Sequence, residues 1–161
     1  MIQRREYLSK LISFKDKHII KVITGIRRCG KSTLLDLFKE HLKSVGVEDN
    51  QIISINFENI NFDFLTDYKK LYTYIEEKLN TSKMNYIFLD EIQNVPEFEK
   101  AIDSLYIKNN VDLYITGSNA YLLSGELATL LSGRYVKIEM LPLSFKEYME
   151  ISNARKPQWC L

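Results

Sequence analysis

Residues 25–32 have the spacing of a loop that binds phosphate. Their sequence, Gly-Ile-Arg-Arg-Cys-Gly-Lys-Ser, matches the pattern G-x-x-x-x-G-K-[ST] at every fixed position. Glycines let the backbone approach a phosphate closely, so that N–H groups at the start of a helix can surround it. Lys31 would place its charge on the β- and γ-phosphates, the Ser32 hydroxyl would be a ligand of Mg²⁺, and Thr33 could reach the α-phosphate. The candidate nucleotide-binding residues are Gly25, Ile26, Arg27, Arg28, Cys29, Gly30, Lys31, Ser32 and Thr33.

Two adjacent carboxylates, Asp90 and Glu91, follow the apolar run Tyr86–Leu89. Such a run is typical of a buried parallel strand, and ligands bind at the carboxyl ends of strands in sheets of this kind. Asp90 could hold Mg²⁺, and Glu91 could orient and polarise an attacking water as a general base. An acid pair that caps a helix is the competing interpretation, but the phosphate-binding pattern earlier in the chain favours the chemical one.

Two further segments offer polar side chains near strand ends. After the apolar run that ends at Thr116, Ser118 or Asn119 could hydrogen-bond the γ-phosphate or the attacking water, or could instead cap the next helix. Arg134 could stabilise charge in the transition state, in its own subunit or in a neighbour. The alternative for Arg134 is a surface arginine at the end of a strand.

Hydrophobic periodicity predicts the elements that would position these residues. Helical spacing predicts a leading amphipathic helix within residues 1–16. Runs of β-branched and apolar residues predict strands at His18–Thr24, Gln51–Phe57, Tyr86–Leu89, Val111–Thr116 and Arg134–Met140. Helices are predicted from the phosphate loop to near Gly46, over Leu65–Leu79, from Val95-Pro96-Glu97 with Pro96 near the first position, in short pieces between Asn119 and Leu131, and after Pro142. The alternation indicates an α/β fold with a five-stranded, mostly parallel sheet, but it does not give the strand order.

Composition excludes several classes of protein. The chain has 161 residues, 45% hydrophobic and 27% charged, as expected of one soluble globular domain. With a net charge of +1, it gives no reason to expect a nucleic-acid or membrane-surface partner, and the basic pair Arg4/Arg5 is interpreted as a solvated face or as site residues. Cys29 and Cys160 form no disulfide framework, which suits a reducing compartment. Since no apolar stretch has the length of a membrane span or the form of a signal peptide, we expect a cytoplasmic protein.

Taken in order, these motifs resemble those of P-loop ATPases of the additional-strand, catalytic-glutamate division. More narrowly, the chain resembles the AAA+-like bacterial and archaeal ATPases that often carry a C-terminal domain of unknown function. The segments that carry the resemblance are Thr24–Thr33, Leu89–Pro96, Ile115–Ala120, Leu131–Tyr135 and Leu141–Tyr148. They span nearly the whole chain in the family's order.

The resemblance implies a three-layer P-loop NTPase fold with sheet order 5-1-4-3-2. In that order the strand at 111–116 lies between the phosphate-loop strand and the strand that ends in Asp90. It also implies that Ser118 or Asn119 is a sensor-type residue.

The resemblance also bears on domain organisation. Members of the family typically continue well past a segment like Pro142–Phe145 into helical and C-terminal domains. We therefore expect residues 1–150 to form the ATPase core and residues 151–161 to be a truncated tail toward a missing C-terminal domain.

The leading functional hypothesis is an ATPase domain that binds MgATP and hydrolyses it to ADP and phosphate. A GTPase is less favoured because the sequence has no N-K-x-D motif, and a small-molecule kinase is less favoured because Glu91 directly after Asp90 indicates activation of water. The alternative of another class is a nucleotide-binding switch or scaffold module with negligible turnover without its C-terminal domain. The expected partners are ATP, ADP and either a second copy of the chain or that C-terminal domain. The sequence has no basic-aromatic platform for nucleic acid.

Overall fold

Five parallel strands form the centre of the molecule. A computed structural model describes residues 4–118, 122, 129–131 and 133–142. The strands are β1 (Ile20–Gly25), β2 (Ile52–Asn56), β3 (Asn85–Asp90), β4 (Val111–Ser118) and β5 (Tyr135–Met140). They pair in the order β2-β3-β4-β1-β5, and all four pairings are parallel. The structure therefore confirms the α/β class and the sheet order 5-1-4-3-2.

Four α-helices lie wholly within the described residues, and two of these helices begin later than predicted. The helices are α1 (Arg5–Phe14), α2 (Lys31–Ser44), α3 (Tyr68–Lys78) and α4 (Phe98–Tyr106), and short 3₁₀ turns lie at Asp49–Gln51, Ile60–Leu65 and Ile92–Asn94. The predicted start of α3 at Leu65 is wrong, because the Asp67 carboxylate accepts hydrogen bonds from the N–H groups of Lys69 and Lys70 and caps the helix there. Pro96 does not open α4 either, because Glu97 adopts a left-handed conformation (φ 56°) immediately before it.

The helices cover both faces of the sheet and make three layers. Residues of α3 and α4 pack in one apolar cluster, and residues of α1 and α2 pack in the other. Neighbouring side chains of β1 reach opposite clusters, since Val22 belongs to the first and Ile23 to the second. Because the strands are parallel, β1, β3 and β4 end at the same edge of the sheet, with Gly25, Asp90 and Ser118 respectively. The predicted helical pieces between Asn119 and Leu131 and after Pro142 fall largely or wholly outside the described residues.

Candidate functional site

The loop between β1 and α2 has the backbone conformation that its glycines permit. A Cβ on Gly25 would lie 2.5 Å from Cys29 Sγ and 2.8 Å from the carbonyl oxygen of Met140, so no larger residue fits there. Gly30 precedes α2 with φ 96°, in the left-handed region that favours glycine. Within the described residues, no side chain caps the start of α2. Its first N–H groups and the positive end of its dipole are therefore available to an anion.

Lys31 folds back over this loop. Its Nζ donates hydrogen bonds to the carbonyl oxygens of Gly25 (3.1 Å) and Ile26 (3.3 Å), and it lies 3.4 Å from Glu91 Oε1. The side chains of Lys31 and Glu91 are only 3% and 12% exposed. The ion pair thus connects the loop after β1 to the acid pair at the end of β3.

A buried threonine hydroxyl fixes the two acidic residues. Thr116 Oγ1 accepts a hydrogen bond from the Glu91 N–H at 2.9 Å and donates one to Asp90 Oδ1. A hydroxyl has one hydrogen, and the incoming N–H occupies an oxygen lone pair, so the hydrogen of Thr116 is directed at the carboxylate. Thr116 is fully buried, and Glu91 has φ 58°. The two carboxylates therefore have different partners: that of Asp90 binds the Thr116 hydroxyl, and that of Glu91 lies beside Lys31.

Gln93 holds the other carboxylate oxygen of Glu91. Its Nε2 donates to Glu91 Oε2, and its Oε1 is buried without a hydrogen-bond partner in the described part of the chain. A Cβ on Gly117 would lie 2.6 Å from Gln93 Oε1, so the glycine leaves room for this side chain at the end of β4. Glu91 is consequently held by Lys31 on one oxygen and by Gln93 on the other.

Several predicted site residues lie at this edge of the sheet. Ser118 is next to Gly25 in the register between β4 and β1, and Ser32 and Thr33 are exposed on the first turn of α2. Asn119 lies outside the described residues.

Three other residues of the loop differ in exposure. Arg27 and Arg28 are exposed, and Arg27 pairs with Glu58 at 3.2 Å. The Cys29 side chain is buried in the apolar cluster of α1 and α2, so a phosphate could contact only the backbone of this residue.

Arg134 lies at the opposite edge of the sheet from residues 25–32. This position does not fit the expectation that it stabilises charge on a nucleotide bound by its own subunit. It directly precedes β5, which runs parallel to β1, and its carbonyl oxygen accepts a hydrogen bond from the N–H of Ile20 at the start of β1. Its guanidinium is 3.6 Å from Asp103 and lies over the ring of Tyr106. The parallel direction of β5 therefore separates Arg134 from Lys31 by the full length of the strands.

Sequence reasoning did not single out two residues that organise the site, Thr116 and Gln93. Both appeared only inside longer motifs. The contact of Thr116 with Asp90 depends on β4 being the neighbour of β3, which alternation of strands and helices does not reveal. Gln93 follows Glu91 by two residues. An amide side chain so near the candidate base in the sequence is the feature that could have identified it.

We expect Thr116→Val to lower the free energy of unfolding by about 1–3 kcal/mol, because it leaves the Asp90 carboxylate and the Glu91 N–H without a buried partner. Thr24 provides a matched control, since it is also fully buried and its hydroxyl has no hydrogen-bond partner within the described ranges. Thr24→Val should be neutral or stabilising. Urea unfolding measures both variants, and equal losses would show that the bonds of Thr116 contribute nothing.

None of the helices in the described residues combines the length and the apolar character that a membrane span requires.

Comparisons with known proteins agree with the fold and with the motifs. An uncharacterized protein from Haemophilus influenzae is 47% identical over 154 residues, which cover 95% of this chain and 38% of that protein. An uncharacterized protein from Methanocaldococcus jannaschii is 39% identical over 140 residues, which cover 83% of this chain and 29% of that protein. The chain thus corresponds to well under half the length of each of these relatives.

A solved structure shows the same fold at low identity. Hsp104 of Saccharomyces cerevisiae, in its complex with casein, matches with a TM-score of 0.69 and 16% identity, covering 98% of this chain and 30% of the Hsp104 chain. At this identity the likeness concerns the fold alone, which is that of the AAA+ P-loop NTPases. A family model described as an AAA domain matches residues 17–149. That match covers most of the chain, including the loop after β1 and the acid pair at the end of β3, and the chain therefore belongs to the AAA domain family.

Proposed function

We propose that the chain binds MgATP at residues 25–33 and hydrolyses it to ADP and phosphate. The observation that carries this proposal is the 3.4 Å separation of Lys31 Nζ and Glu91 Oε1. Hydrolysis needs a cation on the phosphates and a base on the attacking water, both close to the γ-phosphate. Membership of the AAA domain family supports nucleotide binding at the same loop.

The present contacts of Lys31 suggest how binding would prepare the base. The ammonium has three hydrogens, and it now has two carbonyl oxygens and the Glu91 carboxylate as partners. Phosphate oxygens would compete with Glu91 for this cation. Once Lys31 binds phosphate, the freed Glu91 oxygen can accept a proton from water, while Gln93 keeps the other oxygen in place.

Oxygen donors at this edge fit Mg²⁺. Within the described ranges, no group of three or more His, Cys, Asp or Glu side chains could hold a metal. Mg²⁺ needs no such group, because it is usually bound by one or two protein oxygens together with substrate phosphates and water. Asp90 and the exposed Ser32 hydroxyl would supply those oxygens, and Mg²⁺ would neutralise charge on the phosphates.

The remaining candidates would act around the γ-phosphate. Ser118, beside Gly25 in the register, or Asn119 would contact the γ-phosphate or the attacking water. Arg134 would act on the nucleotide of a neighbouring copy, because it lies at the far edge of its own sheet. An arginine supplied by a neighbour is an established way of stabilising the charge of phosphoryl transfer.

The test is to measure nucleotide binding by Lys31→Ala with MgATP. We expect a loss of affinity of about tenfold to a hundredfold, because a charge-assisted interaction with phosphate is removed. Lys43→Ala is the matched control, since Lys43 lies on the same helix and its side chain is 54% exposed. If both variants bind ATP as the unsubstituted protein does, the proposed site is wrong.

Release of phosphate, followed in the same samples, separates the two functional hypotheses. Binding without turnover would favour the alternative, a nucleotide-binding switch or scaffold module. The measurement is repeated over a range of protein concentrations, because specific activity rises with concentration only if a neighbouring copy contributes a group such as Arg134.

A further inference from the structure

Arg4 connects the start of α1 to the phosphate loop. Its Nη1 donates hydrogen bonds to the carbonyl oxygens of Cys29 (3.3 Å) and Leu141 (2.7 Å). The residue is only 9% exposed, although it is charged. Burial of a guanidinium is unfavourable unless hydrogen bonds compensate for the lost water, so these two carbonyl groups are strong determinants of its position.

The contact with Cys29 bears on the direction of a backbone N–H group. The peptide bond between Cys29 and Gly30 is trans, and a planar trans peptide directs its C=O and its N–H to opposite sides. Because Arg4 holds the carbonyl oxygen, the Gly30 N–H is directed away from Arg4. Without such a contact this peptide could rotate easily, because glycine has no side chain and its backbone adopts more conformations than that of any other residue type.

The second contact involves the chain just after β5. Arg4 binds the carbonyl oxygen of Leu141, and the hydroxyl oxygen of Tyr7 accepts a hydrogen bond from the Leu141 N–H at 3.1 Å. The Arg4 guanidinium lies over the Tyr7 ring, 5.3 Å from its centroid. Both backbone groups of Leu141 are therefore bound by the beginning of α1.

We propose that Arg4 is a positioning residue for nucleotide binding: it holds the Cys29–Gly30 peptide with its N–H facing the phosphate, and it couples this loop to Leu141. The inference rests on the proposed binding of ATP at residues 25–33. Loss of Arg4 frees the peptide to rotate, so that part of the population presents the carbonyl oxygen to the phosphate and repels it. Nucleotide binding in turn fixes the Cys29 carbonyl and strengthens the hold of Arg4 on Leu141.

The experiment compares Arg4→Ala, Arg4→Lys and Arg5→Ala in titrations with MgATP and a fluorescent ATP analogue. Arg5 is the matched control, because it is the neighbouring arginine and is exposed. We expect Arg4→Ala to raise the Kd about tenfold. Arg4→Lys should recover part of the affinity, because an ammonium can still donate to a carbonyl, and Arg5→Ala should bind like the unsubstituted protein. Thermal unfolding identifies a temperature at which every variant is folded.

Amide hydrogen exchange at Leu141 gives a readout that a purely structural role would not move. Addition of MgATP should slow this exchange in the unsubstituted protein and in Arg5→Ala, but not in Arg4→Ala. Tyr7→Phe should speed exchange at Leu141 and leave the Kd nearly unchanged, because it removes only the acceptor of that N–H.

The outcomes distinguish the inference from the proposed function. If the unsubstituted protein binds no nucleotide, the proposed function fails and the inference fails with it. If it binds nucleotide but Arg4→Ala and Arg5→Ala have the same Kd, only the positioning role is overturned. If the Kd changes as expected but MgATP does not change the rate of amide exchange at Leu141, the coupling to Leu141 is overturned.

Discussion

Glu91→Gln should bind MgATP at least as tightly as the unsubstituted protein and hydrolyse it about 10²–10⁴-fold more slowly. Glutamine keeps the shape of the side chain but cannot accept a proton from water. It also removes a negative charge close to the site where phosphate would bind, which favours binding. Equilibrium titration measures the Kd, and release of phosphate in a single turnover measures the rate of the chemical step.

Glu97→Gln is a suitable control for this substitution, because it makes the same chemical change at an exposed glutamate outside the site. It should leave both the Kd and the rate unchanged. If the unsubstituted protein binds MgATP but is no faster than Glu91→Gln, Glu91 is not a base in this chain. The chain would then be a nucleotide-binding module.

Asp112→Ala should lower the free energy of unfolding by about 3–5 kcal/mol, because it leaves the Lys21 ammonium buried without its counter-charge. Lys21 and Asp112 form an ion pair with side chains that are 0% and 2% exposed. Burial lowers the pKa of Lys21 and raises the pKa of Asp112, so each charge is maintained by the other. Urea or guanidinium unfolding followed by circular dichroism measures the loss.

The surroundings of Asp112 indicate the variant that should restore stability. Asp112 Oδ2 also accepts hydrogen bonds from the Tyr114 hydroxyl (2.8 Å) and from the backbone N–H of Asp16 (2.9 Å). The double variant Lys21→Met/Asp112→Asn removes both charges and retains an oxygen acceptor. It should recover most of the lost stability, whereas a loss as large as that of Asp112→Ala would mean that the charges themselves are required. Lys43→Ala, which breaks an exposed pair with Asp49, should have little effect.

The same cluster explains how the turn before β1 is held. The Tyr86 hydroxyl donates to Asp16 Oδ1 at 2.7 Å, and Asp16 has φ 61°. Burial, together with the neighbouring Asp16 carboxylate, raises the pKa of Tyr86 to about 12, so its hydroxyl remains a donor at neutral pH. The cluster lies near the amino ends of the strands, and Asp112→Ala should therefore leave the Kd for nucleotide unchanged wherever the variant is folded.

The elements that depend on local sequence could be predicted well. The phosphate-binding pattern and the acid pair are both contiguous, and each directly follows an apolar run, so their positions at strand ends follow from the sequence. The sheet order came from resemblance to a family, because periodicity describes each strand by itself. The start of α4 differed because Glu97 takes a backbone conformation that is uncommon outside glycine.

Contacts between distant segments could not be predicted from the sequence. Arg4 and Arg5 are equivalent as neighbouring arginines, yet one is buried against the phosphate loop and the other is exposed. The difference depends on how α1 packs beside β5. The placement of Arg134 likewise depends on the direction of β5, which is fixed by its pairing with β1.

The sheet order also determines when the domain can fold during synthesis. β1 is made early, but both of its partners, β4 and β5, are made after β2 and β3. Pairing between segments that are distant in the chain requires closure of a long loop, which slows folding. Until β4 has left the ribosome, the apolar residues of β1 have no strand to pair with, and an unpaired apolar strand promotes aggregation. Since the phosphate loop directly follows β1, it reaches its final shape only when the last strands have been made.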